Sequence, residues 1–301
     1  MRFHFKKIIA CLLAVCLTCS AFAGCGKNNG EESGNTAPGK GEKPQETRYI
    51  TFAGHEYPIN EEVPANEYDA SLFRVDGSYA RYGDHSLLGV DVSSFQDEID
   101  WGEVKASGVD FVMVRVGYRG HTEGLLHEDN RFRENMVNAY KAGMKIGVYF
   151  FGQAITLDEV AEEADYVLDL IEPYRDTITL PVVYDWEELE GIEDARTNDL
   201  DPSIVGDCGV AFCETIRAAG YEAGIYFNRQ LGYYSMDLSR LKDVKFWLAV
   251  PGDYPDFYYA GNIWQYTHEG EVPGIDGPVD LNLMFIKRPE PTQEPDASPA
   301  P

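Results

Sequence analysis

The segment Pro181-Val182-Val183-Tyr184-Asp185-Trp186-Glu187 sets two carboxylates two residues apart at the end of an apolar run. Alternate residues of a strand face the same side, so Asp185 and Glu187 are expected to point together. A close carboxylate pair can hold one proton near neutral pH, leaving a general acid beside an ionised partner. Acetal cleavage needs that combination: a proton for the leaving oxygen and negative charge near an oxocarbenium-like centre. Two other segments end apolar runs on polar groups. One is Gly89-Val90-Asp91-Val92-Ser93-Ser94-Phe95-Gln96; the other pairs Trp264-Gln265-Tyr266 with Val279-Asp280-Leu281-Asn282. Each has a plain structural alternative when taken alone. Glu188 and Glu190 would make the first a solvated acidic loop, Asp91 could cap a turn, and the third could be core aromatics with an Asx turn. Tyr149, Trp186, Tyr226, Trp247, Trp264 and Tyr266 lie at or near the ends of apolar runs, where aromatic faces could stack on sugar rings. Several could equally fill a core, and Trp247 is read that way.

These residues need elements that gather them. Apolar strand-like runs cover 87–92, 111–117, 145–151, 180–186, 222–227, 245–250, 262–266 and 280–285. Helical stretches fall between the early ones, over 101–107, 130–142, 156–171 and 202–219. Thr156 and Glu159 have capping-box spacing, and Gly143 and Gly220 stand where helices stop. Such alternation predicts parallel strands with right-handed crossovers. Eight strands with helices only between the first five predict an α/β fold of the modified TIM-barrel type, with a doubly wound open sheet as the alternative. In such a barrel the chemistry sits at the carboxyl ends of the strands, which here carry Asp91, Arg115, Asp185 with Glu187, Asn228 and Gln265.

The chain has 301 residues and a formal charge of -26, from 51 acidic and 25 basic side chains. So acidic a chain, with no basic patch interleaved with aromatics, is not a nucleic-acid binder. Arg2, Lys6 and Lys7 followed by an apolar run over 8–21 read as a signal peptide, too short for a comfortable membrane span. Ala23-Gly24-Cys25 resembles a lipobox with Phe22 in place of the usual Leu, so Cys25 is expected to carry lipid and anchor the chain outside the cell membrane; ordinary secretion is the alternative. Residues 25–47 read as a flexible tether, 48–87 as an aromatic-rich extension packed on the main domain, 88–287 as the catalytic domain and 288–301 as a Pro-rich tail. Of six cysteines only Cys208 and Cys213 fall in the globular part. Five residues apart on a helix they diverge by about 140°, so two buried thiols are expected, not a disulfide.

Seven separated motifs keep their order: Gly-Val-Asp-Val-Ser-Ser-Phe-Gln from 89, Tyr-Phe-Phe from 149, Asp-Trp-Glu from 185, Ile-Tyr-Phe-Asn from 225, Phe-Trp-Leu-Ala from 246, Trp-Gln-Tyr from 264 and Val-Asp-Leu-Asn from 279. In this the chain resembles glycoside hydrolase family 25, the N-acetylmuramidase lysozymes, over about residues 87–286. The resemblance implies a barrel of five β/α units and three further strands, (β/α)5(β)3. It implies hydrolysis of the β-1,4 bond between N-acetylmuramic acid and N-acetylglucosamine in peptidoglycan, by a monomer without metal or cofactor. Glu187 matches the family's general acid, Asp185 the carboxylate beside it, and Asp91 and Asp280 two further active-site aspartates. Tyr149, Trp186, Tyr226, Trp264, Gln265 and Tyr266 are the expected glycan contacts. Val250-Pro251-Gly252-Asp253 departs from the family, which more often has an aromatic there. A wall-binding lipoprotein that holds glycan without cutting it is the alternative function.

Overall fold

The structure, a computed structural model, describes residues 47–189, 191–198 and 200–286. The expected signal peptide, Cys25, nearly all of the tether and the Pro-rich tail lie outside the described residues. In chain order the elements are β1 (Tyr49–Phe52), β2 (His55–Pro58), β3 (Phe73–Asp76), β4 (Tyr79–Tyr82), β5 (Ser86–Val92), α1 (Trp101–Ala106), β6 (Phe111–Arg119), β7 (Leu126–Glu128), α2 (Phe132–Lys141), β8 (Lys145–Gly152), α3 (Leu157–Ile171), β9 (Ile178–Trp186), α4 (Pro202–Ala218), β10 (Ala223–Asn228), β11 (Lys245–Ala249), β12 (Ile263–Gly270) and β13 (Val279–Phe285).

Eight strands close into a barrel in the order β5, β6, β8, β9, β10, β11, β12, β13, with β13 pairing back to β5 and β7 hung on the outer end of β6. Four α-helices follow the first four barrel strands. After the fifth, only a π-turn at Leu231–Ser235 and a short 3-10 turn remain. The expected all-parallel sheet is corrected at one strand. β13 runs antiparallel to both β12 and β5, because no helix separates it from β12 and the chain simply turns back. The capping-box expectation is met in half: the Thr156 hydroxyl accepts from Glu159 N–H, but the Glu159 carboxylate accepts from Ile155 N–H, one residue before the cap, and not from Thr156 N–H.

Period-two alternation sorts each strand into an inward and an outward column. The outward columns bury Val90, Val112, Val148, Tyr184, Ile225 and Leu248 under the helices. The inward columns carry Phe111, Met113, Tyr149, Val183, Tyr226, Trp247 and Ile263, which fill the barrel. Gly89 must lack a side chain, since a Cβ there would lie 2.2 Å from the Phe111 ring. Cys208 and Cys213 are both buried free thiols.

The residues before the barrel lie against it through aromatic contacts. Tyr68 stacks on Phe285 at 4.5 Å, and Phe73 meets Trp264 edge-on at 5.5 Å. The Tyr68 hydroxyl both accepts from Gly261 N–H (2.8 Å) and donates to Gly261 C=O (2.9 Å). Ala80 N–H donates to the Tyr266 hydroxyl, and residue 65 bridges to residue 259. Tyr68→Phe therefore removes the partner of both peptide groups of Gly261 and should cost about 1–3 kcal/mol. Urea denaturation at constant slope measures this; a loss below about 0.5 kcal/mol would mean that the hydroxyl contributes nothing beyond its ring.

Candidate active site

The inward columns change character toward one end of the barrel. Below are Phe111, Met113, Val183 and Ile263; above, the same strands continue to Arg115, Asp185 and Gln265. Asp91 is the last but one residue of β5 and Glu187 follows β9 by one residue. Asp280 is the second residue of β13. Because that strand is antiparallel, its first turn lies at the same mouth as the carboxyl ends of the others, directly paired with Asp91. Together with Ser93, Phe95, Gln96, Tyr149, Phe151, Tyr226 and Trp247, these residues line a pocket of about 210 Å3.

A chain of hydrogen bonds crosses the pocket floor. Trp247 Nε1 donates to Asn282 Oδ1 (2.8 Å), and Asn282 Nδ2 donates to Asp91 Oδ2 (2.7 Å). From the other side, the Tyr226 hydroxyl donates to Gln265 Oε1 (2.8 Å), while Gln265 Nε2 donates to Asp91 Oδ2 (3.0 Å) and Asp280 Oδ2 (3.3 Å). An indole N–H can only donate, so it fixes which way the Asn282 amide points and turns that amide's N–H toward the carboxylate. The Trp247 ring lies between Tyr149 (5.8 Å) and Tyr226 (5.0 Å), so it fills the barrel as its reading as core implied and also forms the pocket floor.

Burial and mutual repulsion set the proton affinities of these acids. Asp91 is pushed up to about 8, first by burial and then by the charge of Asp280, against the opposing donors Asn282 and Gln265. Asp185 is raised well above the carboxylate range by burial, then by Glu187 and Asp91, with Arg115 pulling the other way. Burial also raises Glu187, and the largest opposing influence there is His268. His268 is itself raised, chiefly through its contact with Asp280 at 3.2 Å. The Asp185–Glu187 pair thus favours holding one shared proton. Asp185 Oδ1 is buried and has no hydrogen-bond partner among the described residues.

Of the expected contacts, Tyr149, Tyr226 and Gln265 line this pocket; Trp186, Trp264 and Tyr266 do not. Each of these three occupies the outward position next to an inward one. Trp186 Nε1 bonds to Ala154 C=O, Trp264 Nε1 to Val250 C=O, and the Tyr266 hydroxyl to Ala80. Strand-end position alone did not distinguish the two faces. Asn228 is also outside the pocket; its side chain caps the turn after β10 by accepting from Leu231 N–H.

Three participants are not among the expected site residues, although Asn282 stands in the Val-Asp-Leu-Asn motif. Asn282 follows Asp280 by two and shares its face. His268 reaches Asp280 only because bulges shift the β12–β13 register between Gln265 and Gly270. Gln153, fully buried just past β8, donates to the Glu187 carbonyl (3.0 Å), and its own N–H is held by Glu163 (3.1 Å).

Comparison with known proteins follows the same residues. The profile described as Glycosyl hydrolases family 25 matches residues 90–275. The chain is 29% identical over 213 residues to Lysozyme M1 of Streptomyces globisporus, covering 65% of this chain and 67% of that protein. It is 28% identical over 200 residues to the Autolytic lysozyme of Clostridium acetobutylicum, covering 65% and 55%. The crystal structure of the bacterial lysozyme from Streptomyces coelicolor superposes with a TM-score of 0.54 at 26% identity, over 66% of this chain and 91% of that one. The modular autolysin LytC from Streptococcus pneumoniae, solved with a synthetic peptidoglycan ligand, shares the fold with a TM-score of 0.59 at 23% identity, over 80% and 52%. The chain therefore spans little more than half the length of the Clostridium and pneumococcal proteins.

The crowding has a consequence for stability. A free Asp titrates near pH 3.9 (about the model-peptide value), whereas folded Asp185 holds its proton to higher pH. Between those two values the folded chain binds a proton the unfolded chain has released, so stability falls as pH rises. Asp185→Asn should remove that loss, raising stability by about 1–2 kcal/mol at pH ~8 and little at pH ~4. Thermal melts at both pH values test this; a gain of equal size at each would show that packing, not charge, is responsible.

Proposed function

Because the chain belongs to glycosyl hydrolase family 25, we propose that it is a peptidoglycan hydrolase that cleaves the β-1,4 bond between N-acetylmuramic acid and N-acetylglucosamine. The observation that carries this reading is the convergence of Asp91, Asp185, Glu187 and Asp280 on one pocket, with two of them sharing a wall and raised together. In the proposed reaction Glu187 gives its proton to the leaving glycosidic oxygen. Burial raises the proton affinity of Glu187, and the pair it forms with Asp185 retains a proton between them that Glu187 can deliver. Asp185 supplies negative charge beside the positive centre that forms as the bond breaks. Its unpartnered Oδ1 also fits an acceptor for the N–H of a substrate acetamido group. Asp91 and Asp280, tied together through Gln265, form the opposite wall, and Tyr149 and Tyr226 lie against the sugar. No step calls for a metal or a cofactor.

The location follows from the same substrate: a wall hydrolase works outside the cytoplasm. We place it there as a monomer held by lipid on Cys25, on the strength of the leader and lipobox-like sequence. Cys25→Ala should then release active protein to the medium. A wild-type chain that is itself soluble and begins at Gly24 would rule the anchor out.

Glu187→Gln should lower the rate on purified peptidoglycan by about 10²–10⁴, the size of a general acid's contribution, with glycan binding retained. Asp185→Asn should also lose activity, through loss of charge. A substrate with a good leaving group needs little protonation and should rescue Glu187→Gln far better than Asp185→Asn. Mass spectrometry of the new reducing ends identifies the bond cut. Equal rescue of the two variants, or near wild-type clearing by Glu187→Gln, would overturn the assignment.

A further inference from the structure

Phe95 is 83% exposed, yet it lines the pocket that holds the four carboxylates. It sits on a single 3-10 turn, Ser94–Gln96, that is pinned on every side. Ser93 Oγ accepts from Phe95 N–H (3.2 Å), Gln96 Oε1 accepts from Ser93 N–H (2.9 Å), and buried Asp129 accepts from Ser94 N–H (3.0 Å). The inner face of the ring is occupied by the Arg115 guanidinium, 5.0 Å from its centroid. That guanidinium is itself held by Asp129 (Nε 2.9 Å, Nη2 2.8 Å) and backed by Tyr118 at 5.4 Å. The ring therefore cannot fold inward to bury itself, and its outer face stays in water at the rim of the pocket that holds the four carboxylates. A large apolar face kept exposed on a rigid support at a binding pocket is a recognition surface. The axial C–H faces of a pyranose fit it: flat, apolar and bordered by hydroxyls that the surrounding carboxylates and amides can accept from or donate to.

We propose that Phe95 is a stacking platform for one N-acetylhexosamine ring of the glycan strand, in the subsite beside the bond to be cut, with Arg115 and Asp129 as the residues that hold it in position. The proposal rests on the muramidase reading for the identity of the sugar, and its test separates the two. The Glu187→Gln chain, which should bind without cutting, is titrated calorimetrically with the tetrasaccharide of alternating N-acetylglucosamine and N-acetylmuramic acid. Adding Phe95→Ala should weaken binding about five- to tenfold, the size of one aromatic contact, whereas Phe95→Tyr should stay within about twofold. The position is exposed, so the thermal midpoint should not move. Cleavage of peptidoglycan by the wild-type chain is measured alongside. If the wild type does not cut but Phe95→Ala still weakens binding, the platform stands and the proposed activity falls. If the wild type cuts and Phe95→Ala binds the tetrasaccharide as tightly as its parent, the platform is overturned. It is equally overturned if Phe95→Tyr loses as much as Phe95→Ala, or if the Glu187→Gln chain with Phe95 intact does not bind the tetrasaccharide.

Discussion

Four carboxyl groups share one low-dielectric mouth, and most of the surrounding structure answers the cost of keeping them there. An isolated buried carboxylate is expensive, and like charges a few ångströms apart raise one another's proton affinity. The barrel offsets this with oriented donors and few cations. Asn282 and Gln265 both direct N–H groups at Asp91, and each is itself oriented, by the Trp247 indole and the Tyr226 hydroxyl. Arg115 lines the pocket, but its guanidinium is largely committed to Asp129. The pocket therefore raises the proton affinities of Asp91, Asp185 and Glu187 together, and mutual repulsion keeps them from all ionising at once, which is the condition for pairing a general acid with a charge.

Closure of the barrel decides which acids meet. Were β13 parallel like its neighbours, Asp280 would lie at the opposite end of the barrel, beneath the apolar floor. The reversal brings it opposite Asp91 and lets one glutamine bridge the two. The floor depends on the inward columns being filled to different heights: Gly89 makes room for Phe111, and a Cβ at Gly147 or Gly224 would crowd Met113 or Val183. A packed floor keeps the mouth shallow and the acids at its rim, a few residues from solvent and within reach of a polymer.

The wall carrying Asp185 and Glu187 is braced from outside the barrel. Glu163 on α3 is completely buried. Its carboxylate accepts from Arg119 Nε (2.8 Å), the Tyr184 hydroxyl (2.8 Å) and Gln153 N–H (3.1 Å). Gln153 in turn donates to the Glu187 carbonyl, so a buried ion pair in the helical layer ends on the backbone of the proposed acid. Arg119 also bonds the carbonyls of Gly124 and Glu159, tying a surface loop to the same helix. A buried pair of this kind contributes little net stability, and its geometric effect is to fix three elements relative to one another.

How much of this could be read without the fold depends on the range of the interaction. Strand and helix positions, the cap at Thr156, the free thiols on α4 and the pairing of Asp185 with Glu187 come from local periodicity, and the sequence carries them. The order of seven motifs identified the barrel class, because the chain sets that order directly. Which face of a strand end points inward was not legible at Trp186, Trp264 and Tyr266. Aromatic side chains suit both the core behind a strand and the sugar in front of it, and only the sheet register separates the two. The roles of His268 and Gln153 were hidden for a stronger reason. One depends on bulges in the β12–β13 ladder and the other on a helix packed behind the sheet, and neither contact is encoded by neighbours in the chain. The sequence by itself determined which acids are available and that apolar strands would carry them. Tertiary structure alone decided that Asp91 faces Asp280, since a pairing between residues 189 positions apart exists only once the last strand has turned back and closed the barrel.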